Sequence, residues 1–325
     1  PLFIYLNNKT EYNKYYINYN LYYFMKVKLN RDSKLVSRMY FTWFLLGILY
    51  AFFILILNAF GIKFGFIAFI VIIFGSVQYF MSDKMILWSS GAKLIERQDD
   101  ERLFQIVDEI SSIAGIDPPK IAYMQSDVPN AFATGRNAKN SLVAVTKGLR
   151  EKLNDDELRA VISHEIAHII NGDVKVLAIA NFFVTLSSFL MQMFFWNMLF
   201  GGIGRSRGNN GSGQAIFLLY IVTMIVYFLG QLLVLSLTRY REYGADHTGA
   251  SLTGTPSHLA SALEKISMAS IKVPSQDLRQ FKTANAFMII PALSGDDISR
   301  LMSTHPPVID RIRRLKDLQK QLGDL

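Results

Sequence analysis

Four stretches of this chain run without a single charge: residues 40–60, 64–81, 177–200 and 214–238. A helix needs about 20 apolar residues to cross the hydrocarbon core of a bilayer, and a buried helix of a soluble protein is usually shorter. The four runs therefore predict four transmembrane helices, and every other element has to fit around them. Only Gly61, Ile62 and Lys63 separate the first two, which makes them a tight hairpin. The last two are joined by "GGIGRSRGNNGSGQ", a flexible glycine- and serine-rich link.

Composition agrees. The chain is 51% hydrophobic and 18% charged, against about a quarter charged in soluble domains. Its net charge of +8 is spread along the chain, with several basic residues near the apolar runs. That pattern suits an anionic lipid surface and argues against a nucleic-acid partner. There are no cysteines, so disulfides and thiolate metal sites are excluded, and a zinc ion would have to use histidines and carboxylates.

Lys and Arg near the span ends set the orientation. Lys26, Lys28, Arg31, Lys34 and Arg38 precede the first run, Lys84 and Lys93 follow the second, and Arg239 and Arg241 follow the fourth. The opposite loops offer Lys63, Arg205 and Arg207. Both termini and the middle segment are thus expected in the cytoplasm, with the chain a multi-pass protein of the plasma or inner membrane. Residues 1–24 are rich in Asn and Tyr, lack a signal-peptide layout and lead to Met25, a candidate natural start. The expected organisation is a tail over 1–33, a transmembrane hairpin over 34–85 and a folded domain over 86–325 that includes the last two spans.

The intervening segments predict a domain that is mostly α with a small β-sheet (α+β). Residues 99–114 carry an amphipathic helix pattern, with Asp99 as cap, Leu103, Ile106, Val107, Ile110 and Ile113 as apolar face, and Gly115 as stop. Residues 120–125, 131–134 and 141–146 read as short strands. Helices follow over 155–171 and near 239–252, 257–269 and 308–321, with a long loop over 271–296.

The chemistry lies in "SHEIAHIING", residues 163–172. Positions i and i+4 share a helix face, so His164 and His168 can turn their rings toward one ion. Glu165 is rotated by about 100° and can reach a water there without being a ligand. A catalytic zinc site needs a third protein ligand and an open position. "REYGADHTG" (241–249) offers Glu242, with Asp246 one turn later to take the second ring N–H of a ligating histidine. His247 lies about 140° from Glu242 on the helix wheel and is rejected. Taken alone, Glu242 and Asp246 would read as a solvated helix face, and the spans change that. His168 precedes the third run by about 13 Å of helix and Glu242 follows the fourth by about 6 Å. A two-span hairpin returns to the face it left, so it should bring Glu242 to the height of His168.

A zinc ion held there would activate a water and polarise a carbonyl, with Glu165 as catalytic base. His305, in "STHPP" (303–307), is the expected donor to the developing oxyanion, equally readable as a plain loop histidine. Extended peptides pair with edge strands, and "NAFATG" (130–135) predicts one, with Asn130, Ala131 and Phe132 lining substrate; a core hairpin is the rival.

With "NAFATG", "VISHEIAHIINGD", "REYGAD" and "STHPP" in that chain order, the sequence resembles the HtpX family of membrane zinc metalloproteases, relatives of the CAAX prenyl proteases, over residues 34–320. The resemblance implies a gluzincin-like zinc protease domain with one Zn2+, ligands His164, His168 and Glu242, and Glu165 as base. It further implies cleavage of misfolded or damaged membrane proteins on the cytoplasmic side under stress. The alternatives are a prenyl-protein processing protease, for which four spans are too few to enclose a chamber, and a catalytically silent membrane scaffold. A transporter would carry mid-membrane charges, and these spans have none.

Overall fold

The structure, a computed structural model, describes residues 33–73, 75–76, 90–135, 138–200, 211–270 and 305–323. The tail with Met25, most of the glycine-rich link, and residues 271–296 lie outside the described residues.

In chain order the helices are α1 (Ser33–Ala59), α2 (Phe64–Ile73), α3 (Glu101–Ala114), α4 (Lys147–Lys152), α5 (Asp155–Ile170), α6 (Asp173–Phe200), α7 (Gly211–Thr253), α8 (Pro256–Ser270) and α9 (Val308–Gly323). The strands are β1 (Lys93–Leu94), β2 (Lys120–Met124), β3 (Ala131–Gly135) and β4 (Ser141–Thr146). The chain divides into two compact units. One contains residues 34–82 and 175–240; the other contains 83–174 and 241–325.

The first unit is apolar on its inside and its outside. Leu46, Tyr50, Phe53, Leu57, Ala180, Val184, Leu190, Val226 and Leu237 pack within it, while Phe41, Phe44, Phe52, Leu55, Phe217 and Phe228 are exposed. Exposed aromatic and aliphatic side chains on this scale belong in lipid rather than water. Among the described residues, three helices are long and apolar enough to cross a membrane: Leu35–Ala59, Lys175–Phe200 and Gly213–Thr253; Phe64–Ile73 is a shorter apolar helix. The expected second span runs to residue 81, and residues 77–81 lie outside the described residues. Buried hydroxyls in these helices donate back to the carbonyl one turn earlier, Ser187 to Phe183, Thr223 to Leu219 and Thr238 to Val234. These bonds keep the three hydroxyl hydrogens from standing bare against hydrocarbon.

The second unit carries the sheet, in the order β1-β2-β4-β3. The central strand β4 runs parallel to β2 and antiparallel to β3, and all six of its residues are buried. The apolar face of α3 packs with α5, α8, α9 and one face of the sheet around Ile106, Ile110, Val143, Leu158, Ile162 and Leu263. Gly115 ends α3 in the left-handed region (φ 69°) as expected. The cap of α3 is a correction: Asp100, not Asp99, accepts the Leu103 N–H at 3.0 Å, while Asp99 accepts the N–H of Glu96. The two aspartates adjoin, and tertiary context selects the second, whose other oxygen also binds Arg150 Nε at 2.9 Å. The two-residue β1 and the single-turn α4 are too short for a periodicity signal. β3 is an edge strand, with β4 its one strand partner among the described residues.

Candidate metal centre

Helix α5 starts on a capping box. The Asn154 side chain accepts the Glu157 N–H at 2.9 Å, and the Glu157 carboxylate accepts the Asn154 N–H at 3.1 Å. This anchored helix presents His164 and His168 one turn apart. Their Nε2 atoms lie 3.2 Å from each other. From α7, Glu242 places Oε2 3.6 Å from His164 Nε2 and Oε1 3.4 Å from His168 Nε2. Tetrahedral zinc with bonds of about 2.0–2.1 Å has ligand atoms roughly 3.3–3.4 Å apart, close to these three spacings, with one Glu242 oxygen turned to each ring. The second nitrogen of each ring is also met by a carboxylate. Asp246 Oδ1 lies 3.0 Å from His164 Nδ1, and Asp173 Oδ2 lies 2.6 Å from His168 Nδ1. Such partners hold Nδ1–H and leave the Nε2 lone pair for a metal.

The expected donor set His164, His168, Glu242 and Asp246 is thus brought together. Glu165 follows His164 with both carboxylate oxygens buried and neither in a well-formed hydrogen bond; the main chain of Ala133 lends a weak one. His305 is buried with Nδ1 3.2 Å from Glu242 Oε2. At the edge strand, the Thr146 N–H donates to the Asn130 carbonyl at 3.0 Å. With the β3–β4 register, this turns the peptide groups of Phe132 and Thr134 toward β4 and those of Ala131 and Ala133 outward. Of the three residues expected to line substrate, Ala131 alone points its peptide group outward, and all three are buried.

Three residues were not legible as members of the site. Arg311, on α9 and fully buried, sends Nε and Nη2 to the two oxygens of Asp246 at 2.8 and 2.6 Å, and Nη1 to Glu242 Oε2 at 3.2 Å. Asp173 begins α6, and Arg241 Nε stands 3.0 Å from its Oδ1. Their one signal in sequence is proximity to motifs: Asp173 closes "HIINGD", Arg241 opens "REYGAD", and Arg311 lies six residues after His305.

Charge decides how this cluster behaves. Burial pushes the His168 ring down, but Asp173 and Glu242 outweigh it and lift the pKa to about 10. Burial likewise opposes a proton on His164, and Asp246 and Glu242 outweigh it, so that ring is also raised. Burial lifts the Glu165 carboxyl; His164 and His168 oppose this and Glu242 reinforces it. Burial raises the Asp173 carboxyl too, yet Arg241 and His168 hold it below the ordinary range. With the imidazoles counted as uncharged, Glu165, Asp173, Glu242 and Asp246 supply four negative charges and Arg241 and Arg311 two positive ones. One divalent cation brings this buried group to neutrality, so the residues present fit a metal by distance, tautomer and charge.

Residues 97–319 match the pattern of peptidase family M48. This chain belongs to peptidase family M48. A relative named Protease HtpX homolog, from Moorella thermoacetica, is 44% identical to this M48 chain over 302 residues, covering 92% of it and 99% of that relative. Protease HtpX homolog 2 of Methanosarcina mazei is 42% identical over 299 residues, covering 92% of this chain and 100% of its own length. The crystal structure of S. mikatae Ste24p superposes with a TM-score of 0.52 at 16% identity, covering 90% of this chain and 67% of that one, a likeness of fold. The M48 chain is accordingly a multi-pass membrane protease, mostly helical with a small mixed sheet, whose His164–His168–Glu242 group can hold a metal ion.

Proposed function

We propose that the protein is a zinc endopeptidase that cleaves misfolded or damaged membrane proteins at the cytoplasmic face of the plasma or inner membrane. One observation supports this above the rest: two imidazole nitrogens and the Glu242 carboxylate gathered at zinc-ligand spacing, with a buried carboxylate, Glu165, next to them. A zinc ion bound by His164, His168 and Glu242 supplies Lewis acidity to a water and to the scissile carbonyl. Glu165 accepts the proton of the attacking water at a carboxylate oxygen and passes it to the departing amine. Its raised pKa suits a group that must hold a proton near neutrality. Asp246 and Asp173 hold the two Nδ1 protons, and His305 donates to the developing negative oxygen. Substrate lies extended along β3, pairing with the outward carbonyls of Ala131 and Ala133, whose N–H groups face Asn130 Oδ1 and Glu165.

Four spans and cytoplasmic termini follow from the apolar runs and the Lys/Arg distribution. In this organisation residues 34–85 form an anchoring hairpin and residues 86–325 the protease domain with its own two spans. The test is zinc content and casein cleavage of the full chain in detergent, with and without a chelator, for the parent and Glu165→Ala. Zinc retained with cleavage lost in the variant supports the assignment. Cleavage that survives either the chelator or the substitution would sink it.

A further inference from the structure

The face of α7 that carries Glu242 and Asp246 continues to Gly249. On a helix wheel, residues 246 and 249 lie about 40° to one side and 20° to the other side of residue 242. Glu242 and Asp246 reach the His164 ring, whereas Gly249 meets the main chain of that same histidine. A Cβ at position 249 would stand 2.8 Å from His164 Cα, 2.8 Å from His164 N and 3.0 Å from Ser163 C. Carbon atoms prefer to be about 3.5–4.0 Å apart. The obstructing atoms are backbone, inside a helix, and cannot rotate away. Gly249 has ordinary helical backbone, as no positive φ occurs there, so its lack of a side chain matters for space rather than conformation.

We infer that Gly249 is a positioning residue for the metal centre: by having no side chain it lets α7 seat directly on the His164 backbone, which sets the distance from Glu242 and Asp246 to the His164 ring. This rests on the metal reading above. A methyl group at 249 forces α7 and α5 apart by roughly 0.5–1 Å at the point where they share a ligand. Sites of this kind tolerate about 0.5 Å, so the ligand triangle opens at the His164–Glu242 edge.

Gly244 supplies the matched control. It lies on the same helix two residues from Glu242, and a Cβ there meets nothing within 4 Å. The experiment compares parent, Gly244→Ala and Gly249→Ala as metal-free full chains in detergent. It measures zinc affinity by competition with a chromophoric chelator, thermal melting without metal and, after loading with saturating zinc, kcat and KM on casein. The expected result is unchanged affinity for Gly244→Ala and an affinity at least tenfold weaker for Gly249→Ala, with kcat reduced, KM retained and a cooperative melt. If Gly249→Ala does not melt cooperatively alone, it is measured in the Gly244→Ala background; failure to fold there assigns Gly249 a packing role and overturns the inference. Zinc affinity within threefold of the parent also overturns it. A parent that binds no zinc removes the metal reading and this inference together.

Discussion

The buried cluster should exchange protons for metal. Its four carboxylates and two guanidinium groups leave two negative charges, which in the metal-free protein are matched by two protons shared among His168, His164 and Glu165. His168 holds its proton to a pKa of about 10, so the ring carries it at pH 8. His164 and Glu165 are shifted in the same direction. A divalent ion needs the Nε2 lone pairs and must displace these protons. Between one and two protons should therefore leave per ion bound at pH 8. Apparent affinity should rise about tenfold per pH unit for one proton and up to about a hundredfold for two, from pH 7 to 9. The assay is calorimetry of the full chain in detergent, in two buffers of different ionisation enthalpy, with chelator competition across the same pH range. The sign also appears in the melts. A raised His168 pKa stabilises the metal-free fold fully below about pH 6.5, and that contribution is lost as pH rises through about 10. Metal-bound protein lacks this loss, so the gap in Tm between the two forms should widen with pH. Affinity that stays flat from pH 7 to 9, with no proton release, would refute the charge argument.

Three further outcomes follow from the same geometry. Arg311→Ala leaves the carboxylates of Asp246 and Glu242 buried without their guanidinium, and should cost about 3–5 kcal/mol in thermal or denaturant unfolding; Arg311→Lys should recover little of this, because an ammonium cannot span both oxygens of Asp246. Asp173→Asn and Asp246→Asn should each weaken zinc binding about 10- to 100-fold in a chelator competition while leaving the helices intact by circular dichroism. Asp100→Ala should lower stability by about 1 kcal/mol through loss of the α3 cap, without altering zinc affinity.

Much of this molecule is written locally. Charge-free runs long enough for a bilayer, the i, i+4 histidines, the Asn154–Glu157 capping box and the apolar face of α3 are all properties of short windows, where sequence distance and spatial distance coincide. The pairing of Glu242 with the histidines spans more than seventy residues, yet the sequence anticipated it because a membrane hairpin constrains where a chain can return. The cap of α3 shows where local rules stop. Asp99 and Asp100 have equal intrinsic aptitude, and Arg150, fifty residues away, stands beside Asp100.

What the sequence determined by itself was the membrane character, the helix that pairs the two histidines and the carboxylate expected to join them. What only the tertiary structure decided was the surroundings of that ligand set: Arg311 between Asp246 and Glu242, Asp173 behind His168, the outward peptide groups of β3, and the contact of Gly249 with the His164 backbone. The reason is physical. A buried charge or a missing side chain acts through the groups that pack against it, and those arrive from distant parts of the chain. No period or motif around residue 249 or 311 records which backbone or carboxylate will be there.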